Sequence, residues 1–153
     1  MSLRVIVAHT DAEFAAAREL IMEYAAAPEV AVCVQNLAPE LANLPTLYGA
    51  PRGALALLEI DGAYAGCVAL RERDADTAEL KRLFVRPAVR GRQGGRRLAE
   101  AALAQARAFG YRRVTLETLP AMRHAQALYR ALGFLPAGDT PANGVAGMML
   151  EWI

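Results

Sequence analysis

The chain has 153 residues, of which 55% are hydrophobic and 22% charged, and its formal net charge is +1. This length predicts one domain over 1–153 that buries roughly 70% of its unfolded surface, and the composition excludes a disordered chain. The near-neutral charge gives no general reason to expect a nucleic acid or a membrane as partner. No apolar run approaches the ~20 residues that a bilayer requires, and no signal peptide opens the sequence, so we expect a cytoplasmic protein.

The first predicted elements are a strand and a capped helix. The apolar, partly β-branched residues 3–8 predict a strand. Residues 10–13 form a Thr-Asp-Ala-Glu capping box, in which the threonine and the glutamate each satisfy a backbone N–H of the first helical turn. The helix that follows should end before Pro28. A second short helix is expected over 39–44, ended by Pro45.

The rest of the chain alternates between strands and helices. Asp61-Gly62 lies between two β-rich runs and is a strong hairpin signal. The remaining predicted elements are strands over 54–60, 64–70 and 78–85, a helix over 94–109 capped by Gly110, a strand over 114–118, a helix from near Pro120 to Leu132, and strands over 134–135 and 147–152. A hairpin region followed by strand–helix alternation predicts a mixed α/β sheet flanked by helices.

Between a predicted strand and a predicted helix lies the sequence Arg90-Gly91-Arg92-Gln93-Gly94-Gly95-Arg96. A chain that turns tightly into a helix exposes unpaired backbone N–H groups, whose partial positive charge favours phosphate. The glycines let the backbone approach phosphate oxygens, and the arginines can add charge-assisted hydrogen bonds. The alternative is an ordinary glycine-rich connection with a solvated arginine face. The sequence carries neither a Walker motif nor the dinucleotide-binding glycine fingerprint.

The stretch 85–98 resembles the coenzyme A motif of the GNAT acetyltransferase superfamily, Q/R-x-x-G-x-G/A, with Arg90 at the first position and Gly95 at the last. Gln93 stands where the family usually has glycine. The stretch 127–134 is similar to the family's second motif, L-Y-x-x-x-G-F. The resemblance implies the GNAT fold, a largely antiparallel sheet that splays around its middle strands and is flanked by helices.

The resemblance also implies an activity and its co-substrate. It implies an acetyl-CoA-dependent N-acetyltransferase that moves the acetyl group directly to a primary amine of a small molecule or an amino acid. Residues 90–96 would bind the pyrophosphate of the coenzyme. The main chain of Leu83, Phe84 and Val85 would bind pantetheine in the manner of an added strand.

Two side chains receive catalytic roles from the same resemblance. Tyr129 would protonate the departing thiolate, and a tyrosine pKa of about 10 is close to that of a thiol. Glu79 would remove a proton from the incoming amine. The residues themselves leave alternatives open: Tyr129 could pack on Phe134, and Glu79 could pair with Arg71 or Arg113.

Residues 34–53 and 117–120 resemble a small bacterial subgroup of the family. Because the region after the first helix and the last hairpin shape the acceptor site in the family, the resemblance suggests as acceptor contacts Gln35, Asn36, Asn43, Tyr48 and Asn143. Glu117, at a strand end, could contact the acceptor or pair with Arg113. His9 and His124 lack the spacing of metal ligands, so no metal is expected. Cys33 and Cys67 are expected to be buried free thiols. Met122 stands where many family members have asparagine.

Several alternative functions remain open at this stage. The acceptor could instead be a protein or peptide amine, although the short chain without a broad acidic face favours a small molecule. Gln93 and Met122 would suit a non-catalytic acyl-CoA-binding sensor. A nucleic-acid module built on the arginine cluster lacks interleaved aromatic residues. A homodimer is compatible with the sequence, which does not fix the oligomeric state.

Overall fold

The computed structural model describes residues 2–28, 36–119, 122–138 and 145–152. Its strands are β1 (Leu3–Val7), β2 (Ala54–Ile60), β3 (Ala63–Glu72), β4 (Thr77–Val85), β5 (Arg113–Thr118), β6 (Leu135–Ala137) and β7 (Ala146–Glu151). Its α-helices are α1 (Asp11–Ala26), α2 (Leu37–Ala42), α3 (Leu44–Leu47), α4 (Gly94–Ala108) and α5 (Arg123–Ala131). A 3-10 turn, Pro87–Val89, follows β4.

The seven strands form one sheet in the order β1-β2-β3-β4-β5-β7-β6. Neighbouring strands are antiparallel except for β4 and β5, which run parallel. The predicted mixed α/β sheet, largely antiparallel and flanked by helices, is confirmed.

Helices cover the two faces of the sheet and bury a core under each. On one face, which we call the α1 face, Leu20 and Ile21 of α1 pack with Leu55 and Leu57 of β2. The other, the α4 face, carries a larger core in which Leu98 of α4 and residues of α5 pack on strands β2, β3, β4, β5 and β7. The apolar face that each helix must bury therefore determines which side of the sheet it occupies.

The local signals of the sequence correspond well to the element boundaries, with one clear error. The capping box of α1 is present, with both reciprocal hydrogen bonds between Thr10 and Glu13. Pro45 was expected to end a helix, but it lies in the first turn of α3, where its missing N–H needs no partner. The chain instead breaks at Asn43, which has a non-helical conformation between α2 and α3.

Candidate active site

The sheet opens between its two parallel strands. Their pairing runs from Thr77, opposite Arg113, to Glu79, opposite Thr115, and stops there. Strand β4 nevertheless continues to Val85 and β5 continues to Thr118. The two strands therefore diverge beyond Glu79, and the β5 side of β4 from residue 80 onward is left without a partner strand in the described sheet. We call this wedge the β4–β5 opening.

Strand β4 also carries a bulge beside the opening. Phe84 and Lys81 of β4 pair with Cys67 and Ala69 of β3, so two residues of β4 stand against one of β3. One of the two, Arg82, has a φ of 61°, in the left-handed region that a long side chain rarely occupies. Such a bulge bends its strand and redirects main-chain groups.

A buried ion pair holds the bulge from the α1 face. The Arg82 guanidinium donates to both carboxylate oxygens of Glu40 in α2, at 2.8 Å and 2.7 Å. Their side chains are only 3% and 9% exposed. Burial tends to raise the pKa of Glu40, but the bonds from Arg82 outweigh it and hold that pKa below its usual value. The carboxylate therefore stays charged and fixed to the bulge.

Tyr48 completes this buried network. Its side chain is 1% exposed and hydrogen-bonds to Glu40, and burial raises the pKa of its phenol. The sequence predicted Tyr48 as an acceptor contact, yet in the structure its hydroxyl lies against Glu40 inside the protein. Its place is that of a support for the Glu40–Arg82 pair.

The predicted phosphate loop has the backbone conformation that such a site requires. Gly91 has a φ of 86° and Gln93, the residue before α4, has a φ of 65°. The chain thus enters α4 through a left-handed turn, and the N–H groups of the first helical turn have no acceptor within the helix. A Cβ on Gly94 would come 2.6 Å from Leu58 Cδ2, so a glycine is needed there for packing. At Gly95 a Cβ would meet its nearest neighbour at an ordinary 3.7 Å.

The arginines of the loop differ in their partners. Arg90 Nε donates to the carbonyl oxygen of Val85 at 2.9 Å, which folds the loop back toward the end of β4. Arg96 lies 3.5 Å from Glu100, one helical turn further along α4. Arg92 is exposed. The loop therefore lies at the open end of β4, where Leu83, Phe84 and Val85 are found.

Tyr129 of α5 is part of the core on the α4 face of the sheet. Its side chain is 5% exposed and its ring centroid is 5.6 Å from that of Phe134, so the packing expected as one alternative is present. Burial raises the pKa of the Tyr129 phenol, and Tyr24 of α1 adds to that effect. Since α1 covers the opposite face of the sheet, the two tyrosines influence each other across the sheet. Tyr129 is thus a neutral phenol at physiological pH.

Glu79 marks the point at which β4 and β5 part. It is buried and its carboxylate lies 3.5 Å from Arg71 Nε, as one of the two sequence alternatives anticipated. Arg113, the other candidate partner, instead binds Glu151 and Thr77. The carboxylate thus lies at the base of the opening on the α1 face.

The other acceptor candidates are dispersed. Asn36 is exposed and precedes α2 with a φ of 55°. Glu117 is exposed near the end of β5. Gln35 lies outside the described residues, as do Asn143 and Cys33. Cys67 is a buried free thiol, as predicted, and burial raises its pKa to about 12.

The comparisons with known proteins agree with this architecture. A sequence model of the acetyltransferase (GNAT) family matches residues 14–134. The chain belongs to the acetyltransferase (GNAT) family. An uncharacterized N-acetyltransferase of Schizosaccharomyces pombe is 33% identical over 137 residues, 86% of this chain and 84% of that protein. The uncharacterized N-acetyltransferase YjgM of Escherichia coli is 32% identical over 120 residues, 76% of this chain and 71% of that protein.

A solved structure shows the same fold as this acetyltransferase. It is that of the yncA protein of Salmonella typhimurium with its cofactor acetyl-CoA, with a TM-score of 0.75, 21% identity and coverage of 99% of this chain and 94% of that one. Within the described ranges, no group of His, Cys, Asp and Glu side chains could hold a metal ion. No helix in the described part of the chain is long and apolar enough to cross a membrane.

Sequence reasoning misses three residues of this candidate site. Arg82 and Glu40 are far apart in the chain, although an arginine within a strand of buried residues is itself a signal that a buried partner exists. For Thr118 the sequence predicts only the end of a strand. Its hydroxyl is buried and has no hydrogen-bond partner among the described residues, at the end of β5 beyond the point where β4 leaves.

Proposed function

We propose that the protein transfers an acetyl group from acetyl-CoA to a primary amine of a small molecule. The observation that carries this proposal is the left-handed turn at Gln93, which directs the first N–H groups of α4 out of the helix at the open end of β4. A diphosphate is the ligand that such a helix start favours, and the unpaired strand edge beside it suits the amides of pantetheine.

The residues of this chain fit acetyl-CoA as a co-substrate. The diphosphate would be held by the main chain of 91–96, with Arg90 and Arg92 as charged partners. Pantetheine would lie along Leu83, Phe84 and Val85, on the side of β4 that β5 has left. The orphaned Thr118 hydroxyl would gain a partner there, which removes the cost of a buried unpaired polar group. The bound thioester supplies an activated acyl carbon.

Two side chains of the chain would move protons. Glu79, at the base of the opening, accepts a proton from the incoming amine, directly or through water. Tyr129 keeps its hydroxyl proton because burial raises its pKa, so a proton is available for the leaving thiolate, although the phenol is then a weaker acid than a tyrosine of pKa about 10. Most of the rate enhancement would come from holding two reactants in one opening, with main-chain dipoles polarising the carbonyl.

A charge placed in the loop tests the carrying observation. In Gly95→Asp the new Cβ has room, and an acidic residue in the first turn suits the helix dipole, so the fold should be kept. The carboxylate would add a negative charge beside the proposed phosphate position, and the affinity for acetyl-CoA measured by calorimetry should fall about tenfold or more. The matched control is Ala104→Asp, which adds the same charge at an exposed position of α4.

The acceptor class needs its own measurement. Purified protein with acetyl-CoA should acetylate members of a panel of small amines and amino acids faster than a panel of peptides. Faster turnover of peptide N-termini or lysines would replace the small-molecule acceptor by a protein one. Tight acetyl-CoA binding without transfer to any amine would indicate a sensor. No binding at all, with Gly95→Asp no different from the native chain, would overturn the proposal.

A further inference from the structure

Two side chains of opposite charge stand on either side of the β4–β5 opening. The parallel register pairs Glu79 with Thr115, so two residues further along each strand Lys81 would stand beside Glu117. Pairing stops at Glu79, however, and the strands diverge before those positions are reached. The divergence separates a lysine and a glutamate that a continuous ladder would have brought together.

Both side chains lie on the α1 face of the sheet. In β4, Ala78 and Leu80 contribute to the core of the α4 face, so the alternation of a strand places Glu79 and Lys81 on the other side. In β5, Leu116 belongs to that same α4-face core, which places Glu117 with Lys81. The two charges therefore border one space, directly above the point where the strands part.

Among the charged side chains that α2 and β4 place around this space, Lys81 is the one without an ion-pair partner in the described structure. Glu40 is paired with Arg82 at 2.7 Å, and Glu79 is paired with Arg71 at 3.5 Å. Lys81, the one lysine in the sequence, makes no ion pair or hydrogen bond with any residue that the structure describes. Its ammonium is half-buried, and the pKa of Lys81 is lowered by burial and by the neighbouring Arg82, while the charges of Glu79 and Glu40 act in the opposite direction.

A half-buried ammonium that has no ion pair is stabilised by an anion that reaches it. Glu117, across the opening, is exposed and likewise makes no ion pair with the described parts of the chain. A ligand that satisfied both would need a negative group at the Lys81 end and a positive group at the Glu117 end. Such a ligand would span the opening over which the acyl group is held.

We propose that the acceptor is a zwitterion, an amine that also carries a carboxylate, with the carboxylate held by Lys81 and the ammonium drawn in by Glu117. This inference rests on the proposed function, and it narrows the acceptor from small amines in general to amino acids. Lys81 and Glu117 bind and orient the acceptor, while the proton transfers remain with the residues assigned above. Arg71 lies beside Lys81 but is already engaged by Glu79.

Kinetic discrimination between closely matched acceptors tests the assignment. The native protein should acetylate an amino acid with a kcat/KM about tenfold or more above that of its amide, in which the carboxylate is neutral. In Lys81→Met the KM for the amino acid should rise by about tenfold or more, while the KM for the amide stays close to that of the native protein. Lys81→Arg, which keeps the charge, should retain the preference for the amino acid.

Glu117 is tested by the complementary comparison. Glu117→Gln should raise the KM for both acceptors, because the amide keeps its ammonium, and should leave the ratio between them unchanged. Arg112→Met serves as the control for loss of an exposed charge, since its only ion pair in the described structure, with Asp76, lies at 3.8 Å. That variant should leave both the KM values and their ratio unaltered.

A binding readout separates this inference from the proposed function. Because Lys81 is the only lysine, 15N-lysine labelling gives a single side-chain Nζ resonance, and its titration reports one pKa. Saturating amino acid should raise that pKa, because an anion at the ammonium favours the charged form, whereas the amide should not. A shifted resonance without any acetyl transfer would overturn the enzyme and leave the binding site standing. An unshifted resonance, or equal turnover of amino acid and amide, would overturn the zwitterion site while acetyl transfer to other amines would keep the enzyme.

Discussion

The two sides of the β4–β5 opening depend on different kinds of groups. On the proposed coenzyme side, residues 83–85 and 91–96 present main-chain groups whose directions follow from the strand, the left-handed turn and the start of α4. On the proposed acceptor side the groups are charged side chains from α2, β3, β4 and β5, which meet only after the whole sheet has formed. A site of the first kind tolerates changes of side chain as long as the backbone conformation persists. A site of the second kind is sensitive to the loss of a single charge.

The largest effect should come from the acceptor side, at the buried Glu40–Arg82 pair. Glu40→Gln removes one charge and leaves the Arg82 guanidinium buried without its counter-ion, which typically costs about 3–5 kcal/mol of unfolding free energy. Urea denaturation of the native and variant proteins measures this directly. Glu59→Gln, which breaks the more exposed pair with Arg4, should cost less than about 1 kcal/mol.

A double variant tests whether the cost of Glu40→Gln comes from the unpaired charge. Glu40→Met combined with Arg82→Met removes both charges, so the destabilisation should be smaller than that of Glu40→Gln alone. If the double variant were the less stable of the two, the cost of Glu40→Gln would not come from an unpaired buried charge on Arg82. If Glu40→Gln and Glu59→Gln cost the same, burial would not be what distinguishes the two pairs.

Catalysis should respond strongly to loss of one hydroxyl on the coenzyme side. Tyr129→Phe keeps the ring packed on Phe134 and removes the proton donor. We expect kcat to fall by about a hundredfold, with the KM for acetyl-CoA close to that of the native protein, as measured by steady-state kinetics. Unchanged thermal stability would show that packing is intact. An unchanged kcat would assign Tyr129 to packing alone.

A smaller, pH-dependent effect distinguishes the two sides further. The pKa of Glu40 is lowered in the folded protein, so its carboxylate stabilises the fold above its unfolded pKa of about 4.3. That contribution is lost as the pH falls through the lower, folded value. The unfolding free energy of the native protein should therefore decline more steeply than that of Glu40→Gln below about pH 4. Parallel curves would contradict a charged Glu40.

Local chemistry explains which parts of this molecule could be predicted. The capping box at Thr10, the hairpin at Asp61-Gly62 and the entry into α4 are each determined by a few consecutive residues, and all are present in the structure. The error at Pro45 arose because a proline that ends one helix can equally start the next, and sequence alone does not decide between them.

Contacts between distant segments explain what could not be predicted. Glu40 and Arg82 meet because α2 packs over the bulge, and 42 residues separate them in the chain. The periodicity of the sequence does not predict the residue at which β4 and β5 stop pairing, because that residue depends on contacts with the rest of the sheet. A site formed by side chains of different strands, such as Lys81 and Glu117, can therefore be recognised only when the register between β4 and β5 is known.

The smallest expected effect tests the proposed coenzyme side at Gln93, where the loop departs from the family pattern. Gln93 already has the left-handed φ of 65° that glycine adopts readily, so the backbone has the required turn without a glycine. In Gln93→Gly, relief of the left-handed strain and the extra freedom of glycine in the unfolded chain oppose each other, each by about 1 kcal/mol. Unfolding free energy should thus change by less than about 1 kcal/mol, and calorimetric affinity for acetyl-CoA by less than about tenfold. A large gain in affinity would show that the Gln93 side chain itself obstructs the phosphate site. A main-chain site would then not tolerate every change of side chain.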